Sequence, residues 1–143
     1  MPNVTSHTKS IEGLRIYQTS RNLEDAVYEL VKQLPQAEFY GLGNALRRSS
    51  AAVSHHITEC HRRYSYAVKL EALHLARLEA DNLCQLLVDH TAQGYGETKP
   101  LQDTCTTIVK QSWGLIRYLK LRQAERQAEA RINASDELIA ARH

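Results

Sequence analysis

Apolar residues recur along the chain at intervals of three, four and seven, which is the spacing of one face of an α-helix. Pro35 is predicted to end the first helix, because proline breaks the hydrogen-bond ladder, and QAEFYGLG leads to a second helix that begins at Asn44. The first apolar stripe comprises Ile16, Leu23, Val27, Leu30, Val31 and Leu34. The second comprises Leu46, Ser49, Ser50, Val53, Ile57 and Cys60.

Two more helices follow the short turn HRRYS. The third is predicted from Tyr66 to His90, and the glycines and proline of TAQGYGETKP predict a loop before a fourth helix that starts near Leu101. The third stripe comprises Ala72, Leu75, Ala76, Leu83, Leu86 and Leu87. The fourth comprises Leu101, Cys105, Ile108, Ser112, Leu115, Ile116 and Leu119.

Four amphipathic helices with short connections predict an all-α protein, an antiparallel up-down-up-down four-helix bundle. The expected division is a flexible N-terminal lead-in over 1–13, the bundle over 14–131 and a C-terminal tail over 132–143. The stretch RQAERQAEAR holds no apolar residue larger than alanine, so the fourth helix is expected to pass beyond the bundle and to fray near Asn133.

Composition narrows the functional classes. The formal net charge is +2, well short of the strongly basic balance of a dedicated nucleic-acid binder. No run approaches the roughly 18 apolar residues of a membrane span, and the N-terminus lacks the apolar core of a signal peptide. Three widely spaced cysteines without a CxxC pair favour reduced thiols. A cytoplasmic protein with no membrane role is the expectation.

The segment SHHITECHRR gathers metal-binding residue types, among them His55, His56, Glu59 and Cys60. On a helical wheel these side chains fan around more than a third of the second helix, so they do not converge on one ion. HExxH is absent, and so is a paired ExxH pattern. The histidines also stand at the wrong angles to activate Cys60 as a nucleophile. We therefore predict no metal, no cofactor and no catalysis.

The outer face of the second helix carries Arg48, His55, Glu59 and Arg62 in one lengthwise row. Residues 41–63 contain four arginines against one acid. The row admits three interpretations: a solvated surface, a subunit interface, or a phosphate-binding surface. The candidate nucleic-acid-binding residues are Arg47, Arg48, Arg62 and Arg63.

Other residues stand out because they depart from the core pattern. Glu79 falls inside the third apolar stripe, where a buried carboxylate would need a partner. An arginine or a histidine of another helix is expected to reach it, with Arg47 the first candidate, and an edge position that reaches water is the alternative. Off-core aromatic residues are candidates for a subunit contact or for caps on the core edge. The candidate interface residues are Tyr17, Tyr28, Arg48, His55 and Trp113.

The segment GLGNALRRSSAAVSHHITECHRR resembles the signature of the ribosomal-RNA intervening-sequence four-helix-bundle proteins. The residues that match are Gly41, Leu42, Leu46, Arg47, Arg48, Ile57 and Glu59. The opening IYQTSRNLEDAVYELVKQLP, the glutamate of RLEADNL, the QGY turn and LIRYLK are also similar, so the resemblance covers residues 14–121. His56 replaces the family's asparagine, Cys60 replaces its glycine, and Leu75 with Ala76 replaces a Gly-Ser pair.

The resemblance implies a bundle that assembles into a homo-oligomeric ring of five subunits. It also implies kinship with the accessory protein of diversity-generating retroelements, a basic pentamer that binds a reverse transcriptase and structured RNA. We therefore expect a non-enzymatic oligomer that binds structured RNA or a nucleic-acid-handling protein. A protein-binding scaffold or adaptor with no nucleic-acid role is the alternative, and a metal- or thiol-dependent enzyme is the third reading.

Overall fold

The computed structural model describes residues 11–142, with side chains from Gly13 onward. The helices are α1 (Ile11–Lys32), α2 (Asn44–Arg62), α3 (Tyr66–Ala92) and α4 (Lys99–Arg142). No strand occurs in this part of the chain, which confirms the all-α prediction. α1 begins inside the segment expected to be a flexible lead-in, of which residues 1–10 lie outside the described residues.

The connections follow from turn-forming residues. After Pro35 the chain forms a 3₁₀ turn at Gln36–Glu38 and a π-helical turn at Phe39–Gly43, which runs directly into α2. A Cβ at Gly43 would lie 3.2 Å from the Val31 side chain, so glycine allows this connection to pack against α1. Ser65 begins α3 by accepting a hydrogen bond from the Val68 amide.

The four helices enclose one core. α1 packs chiefly against α2 and α4, and α3 packs against the same two helices. The predicted stripes of α1, α2 and α4 point inward, with Leu30 and Leu101 partly buried at the rim. Leu75 was placed wrongly, because it is 40% exposed while Leu73 is fully buried. Both leucines suit a helix, and the position of the neighbouring helices decided between them.

Several polar groups are buried with their hydrogen bonds made. The Lys69 side chain is 3% exposed, and its ammonium donates a hydrogen bond of 2.8 Å to the Cys60 carbonyl near the end of α2. This bond satisfies a carbonyl that the ended helix leaves without a partner. The Ser54 hydroxyl likewise donates to the Ser20 carbonyl across the α1–α2 contact. Desolvation lowers the pKa of Lys69, and the nearby Cys60 opposes this.

α4 is twice as long as α1 and extends past the end of the bundle. It continues without a break to Arg142, whereas the sequence pattern led us to expect fraying near Asn133. Every side chain from residue 124 to residue 142 is exposed. Among the described helices, none is both long and apolar enough to cross a membrane.

Candidate nucleic-acid interface

Contacts between helices show which segments share each end of the bundle. At one end the Tyr17 ring of α1 lies 6.1 Å from the His61 ring of α2, edge to face. The Arg126 guanidinium of α4 lies 5.7 Å from the Tyr66 ring centre at the start of α3. At the other end the Tyr95 hydroxyl donates a 2.6 Å hydrogen bond to Glu38, which joins the α1–α2 connection to the α3–α4 loop.

Charged side chains are distributed unevenly between these two ends. The first end, which we call the basic end, presents seven exposed cations: Arg15, Arg62, Arg63, Arg117, Lys120, Arg122 and Arg126. Only Glu59, Glu71 and Glu125 lie among them in the described part of the chain. The opposite end is mixed in charge: the acids Glu29, Glu38, Asp89, Glu97 and Asp103 lie near Lys32, Arg47, Arg48 and Lys99. The excess of cations is therefore concentrated at the basic end.

Glu59 serves two arginines at the end of α2. Its carboxylate lies 2.7 Å from Arg63 Nε and 3.7 Å from Arg62 Nη1. The hydrogen bond from Arg63 lowers the pKa of Glu59, and the charges of both arginines add to this. Exposed ion pairs of this kind contribute little to stability. One carboxylate cannot neutralise two guanidinium groups, so the pair keeps a positive charge that a phosphate could balance.

Tyr66 holds two arginines of α4 at the same end. Arg122 forms a hydrogen bond with Tyr66 and donates another, of 3.2 Å, to Glu125. Arg126 lies over the Tyr66 ring in a cation–π contact. Because Tyr66 is nearly buried, it is a fixed support that orders two otherwise flexible side chains.

A third group of cations flanks the α1–α4 contact. Arg15 and Lys110 line a cavity of about 260 Å³ together with Gln111 and Gly114. A Cβ at Gly114 would lie 3.9 Å from Arg117 Nη2, so Arg117 adjoins the same cavity. No ion pair involving these three cations occurs between described residues. Their charges are therefore open to an external anion.

The four arginines expected to bind nucleic acid do not form one cluster. Arg62 and Arg63 belong to the basic end, but Arg47 and Arg48 lie roughly 20 Å away along α2. Arg47 is half-buried, hydrogen-bonded to Asn44 and packed 6.0 Å from the Phe39 ring centre. Their role in binding remains a prediction, and the geometry favours Arg62 and Arg63.

Glu79 has a partner other than Arg47. The Ser49 hydroxyl lies 3.1 Å from Glu79 Oε1 and 3.2 Å from the Glu79 carbonyl. Glu79 is half-buried rather than buried, and it lines an α2–α3 cavity of about 440 Å³ with Arg48 and other residues. Burial and then His55 lower the pKa of the neighbouring His56, while Glu79 and Glu59 raise it.

The candidate interface residues lie on different sides of the bundle. Tyr17 lies at the α1–α2 edge, where it meets His61, and Tyr28 follows three turns later on the same face of α1. Trp113 lies at the opposite, α3–α4 edge, with the Arg77 guanidinium 4.5 Å from its ring centre. His55 is exposed on α2 and Arg48 lies further along it. The five residues therefore do not define one shared patch.

The metal and thiol expectations concern residues near these sites. Within residues 11–142 no three or more His, Cys, Asp or Glu side chains lie close enough together to hold a metal ion. The three cysteines are unpaired. Burial raises the pKa of Cys60 to about 11 and that of Cys105 to about 12.

The convergence at the basic end could not be read from the sequence alone. Arg15, Arg62 and Arg117 are separated by more than forty positions in each step. The visible signals were two local enrichments, the RR pair that ends α2 and the cations of LIRYLKLRQAER. Only the packing of α1 and α4 beside the end of α2 brings them together.

Fold and site together define a small helical-bundle protein with one cationic end. The chain belongs to the 23S rRNA-intervening sequence protein family, whose model matches residues 12–114, and this confirms the resemblance noted in the sequence. It is similar in fold to a Bacteroides thetaiotaomicron protein of unknown function from the S23 ribosomal protein family. That similarity has a TM-score of 0.70 at 18% identity over 75% of this chain and 99% of the other. No curated protein matches the sequence.

Proposed function

We propose that this protein is a non-catalytic, homo-oligomeric bundle of antiparallel helices that binds structured RNA through its basic end. The observation that carries the proposal is the gathering of seven exposed cations from α1, α2 and α4 on one end of the bundle. Membership of the intervening-sequence family supports RNA as the partner. A cytoplasmic location belongs to the same proposal, and three unpaired cysteines are consistent with it.

The chemistry of the basic end suits RNA. A guanidinium can donate two parallel hydrogen bonds to one phosphate, and each neutralised phosphate releases counterions, which favours binding at low salt. Tyr64 follows Arg62 and Arg63 directly and is 87% exposed. An exposed aromatic ring beside arginines is a platform on which an unstacked base of an RNA loop can stack.

Assembly would use the two edges that carry exposed aromatic residues. A closed ring requires two different, complementary surfaces on each subunit. Tyr17 and Tyr28 at the α1–α2 edge and Trp113 at the α3–α4 edge lie on opposite sides of the bundle. This is the placement that a head-to-tail contact needs. The proposed ring has five members, as the family resemblance implies, and light scattering on a sizing column measures the count.

Binding is tested with an RNA hairpin carrying a single-stranded loop, titrated at several salt concentrations. The double variant Arg62→Gln/Arg63→Gln should weaken binding and reduce the slope of log affinity against log salt by roughly one for each lost phosphate contact. Arg48→Gln is the matched control, since it removes an exposed arginine from the other half of α2. Tyr64→Ala should weaken binding without changing the slope. An unchanged slope in the double variant, or an equal loss in Arg48→Gln, would refute the assignment.

A protein-binding scaffold is the second candidate, favoured by the exposed Tyr28 and Trp113. It predicts that the hairpin does not bind at any salt concentration. It also predicts that Trp113→Ala abolishes capture of a protein partner while the helical content stays intact. RNA binding that survives Trp113→Ala but not the Arg62 and Arg63 changes would favour the first proposal.

A further inference from the structure

The last 22 described residues continue α4 past the bundle, and only the start of this segment, at Arg122 and Arg126, contacts another helix, through Tyr66. This segment, residues 121–142, which we call the α4 extension, is roughly 33 Å long at 1.5 Å per residue. It begins beyond residue 114, where the family match ends. Most helical stability in proteins comes from the packing of an amphipathic face rather than from the helix alone. The apolar residues of this segment are therefore candidates for a contact with another helix.

An apolar stripe runs the length of the α4 extension. Leu121, Ile132 and Ile139 are each between 56% and 60% exposed. With the small residues between them they fall within about 60° of a single line at 100° per residue. The stripe comprises Leu121, Ala124, Ala128, Ile132, Ser135 and Ile139. Leu138, 58% exposed, lies beside it.

The stripe repeats every eleven residues. Leu121 is followed by Ile132, Ala124 by Ser135, and Ala128 by Ile139. An eleven-residue period corresponds to 3.67 residues per turn, which is close to a straight α-helix and is typical of a shallow right-handed supercoil. The stripe also lies opposite the bundle, because the core residue Leu119 projects about 160° away from it. A second helix could therefore approach it freely.

Charges on the two sides of the stripe decide how a second helix would lie. One flank is acidic and carries Glu125, Glu129 and Asp136. The other is basic and carries Lys120 and Arg131. Two parallel copies bring unlike flanks together, whereas two antiparallel copies bring like flanks together. Opposite charges across the seam therefore require parallel helices.

The register agrees with this orientation. In a parallel pair a flanking residue faces the residue about five positions later in the other helix. Lys120 then faces Glu125 of the second copy, and Arg131 faces Asp136 of the second copy. Within one chain Glu125 accepts a hydrogen bond from Arg122, an exposed contact that contributes little. Arg117 lies on the same face one turn before Leu121, and because it is charged, the apolar stripe begins after it.

We propose that the α4 extension is an assembly element that forms a parallel coiled coil with the same segment of a second copy of this chain. Because pairs leave one member of a five-membered ring over, the second copy belongs to another ring of the proposed assembly. The seam consists of the stripe residues, and the flanking charges select the parallel orientation. The basic end's Lys120 also flanks the seam, whereas Arg62 and Arg63 belong to α2. Changes at Arg62 and Arg63 therefore test RNA binding without altering the seam, and cross-linking in the absence of RNA tests the seam alone.

Single cysteines along the seam test the proposal in the full chain, with Cys84→Ser in every variant because that thiol is partly exposed. In a parallel pair each seam position meets its own copy, so L121C, A128C and I139C should each give a disulfide-linked dimer on mild oxidation. A130C is the matched control, an alanine on the opposite face. It should cross-link roughly tenfold more slowly, since a disulfide needs Cα atoms within about 7 Å. Cross-linking at only one seam position, at none, or equally at residue 130 would overturn the proposal.

Charge reversal tests the register. Glu125→Lys with Asp136→Lys should suppress cross-linking of A128C, because both flanks then become basic. Adding Lys120→Glu and Arg131→Glu should restore it. Lack of suppression, or suppression without restoration, would refute the parallel register.

Discussion

Replacing Glu79 with leucine tests how α2 and α3 are held together. The Ser49 hydroxyl lies within hydrogen-bonding distance of both the Glu79 carboxylate and the Glu79 backbone carbonyl. The substitution removes the first acceptor and keeps the second, so Ser49 still has a partner. No ion pair is broken, because none involving Glu79 occurs between described residues, and Arg47 is held by Asn44 and Phe39 instead.

These contacts set the expected loss in the free energy of unfolding. A hydrogen bond to a charged group is worth about 1.5–3 kcal/mol when it is lost. That figure is reduced here because Glu79 is half-exposed and because leucine adds apolar contact in its place. We expect the free energy of unfolding to fall by at most about 1.5 kcal/mol, which lowers Tm by only a few degrees. A stranded buried arginine would instead cost about 3–5 kcal/mol.

The same substitution should change the pKa of His56. Glu79 raises the pKa of His56, against the lowering by burial and by His55, so Glu79→Leu should lower that pKa further. Because the pKa of folded His56 lies below 6.5, the unfolded chain binds its proton first as pH falls below 6.5. Stability therefore declines there, and more so in the variant.

Thermal melts at pH 7 and pH 5.5 and NMR titration of His56 measure both effects. Glu71→Leu is the matched control, because Glu71 is an exposed acid on the same helix. It should change neither quantity appreciably. A loss above about 3 kcal/mol in Glu79→Leu would show that a charged partner had been stranded. An unchanged His56 pKa would show that the two groups do not face each other.

Three further predictions concern the thiols and the core. Alkylation of the native protein at pH 8 should modify Cys84 before Cys60 and Cys105, because burial holds the pKa of the latter two at about 11 and about 12. Mass spectrometry of digests gives the order of modification. Equal rates at the three cysteines would contradict the prediction. The contribution of these two neutral, buried thiols to the free energy of unfolding is fully present below about pH 9, the ordinary pKa of a thiol. It should be lost as the pH rises through the two raised pKa values. Leu83→Ala should lower the free energy of unfolding in urea by about 2–5 kcal/mol, because Leu83 is fully buried. Leu75→Ala, at a site that is 40% exposed, should lower it by less than about 1 kcal/mol. Equal losses would contradict the assigned core face of α3.

Local rules predicted the helices well. Pro35 and the glycines of TAQGYGETKP stop helices for steric and conformational reasons that depend on a few neighbouring residues. Every predicted member of the α2 stripe from Leu46 to Cys60 is buried, but the prediction missed Ser54, which is buried against α1 by its hydrogen bond to the Ser20 carbonyl. The end of α4 was less predictable, since its exposed residues carry no packing signal that marks where a helix must stop.

The sequence by itself determined the all-helical class, the four segments, most of the inward faces and the family. Tertiary structure alone decided that Leu73 rather than Leu75 enters the core, that Ser49 rather than Arg47 meets Glu79, and that Arg15, Arg62 and Arg117 share one end. The physical reason is the range of the interactions. Helix formation and amphipathicity act over a few residues, whereas a side chain's partner and a surface's charge depend on which distant helices pack beside it.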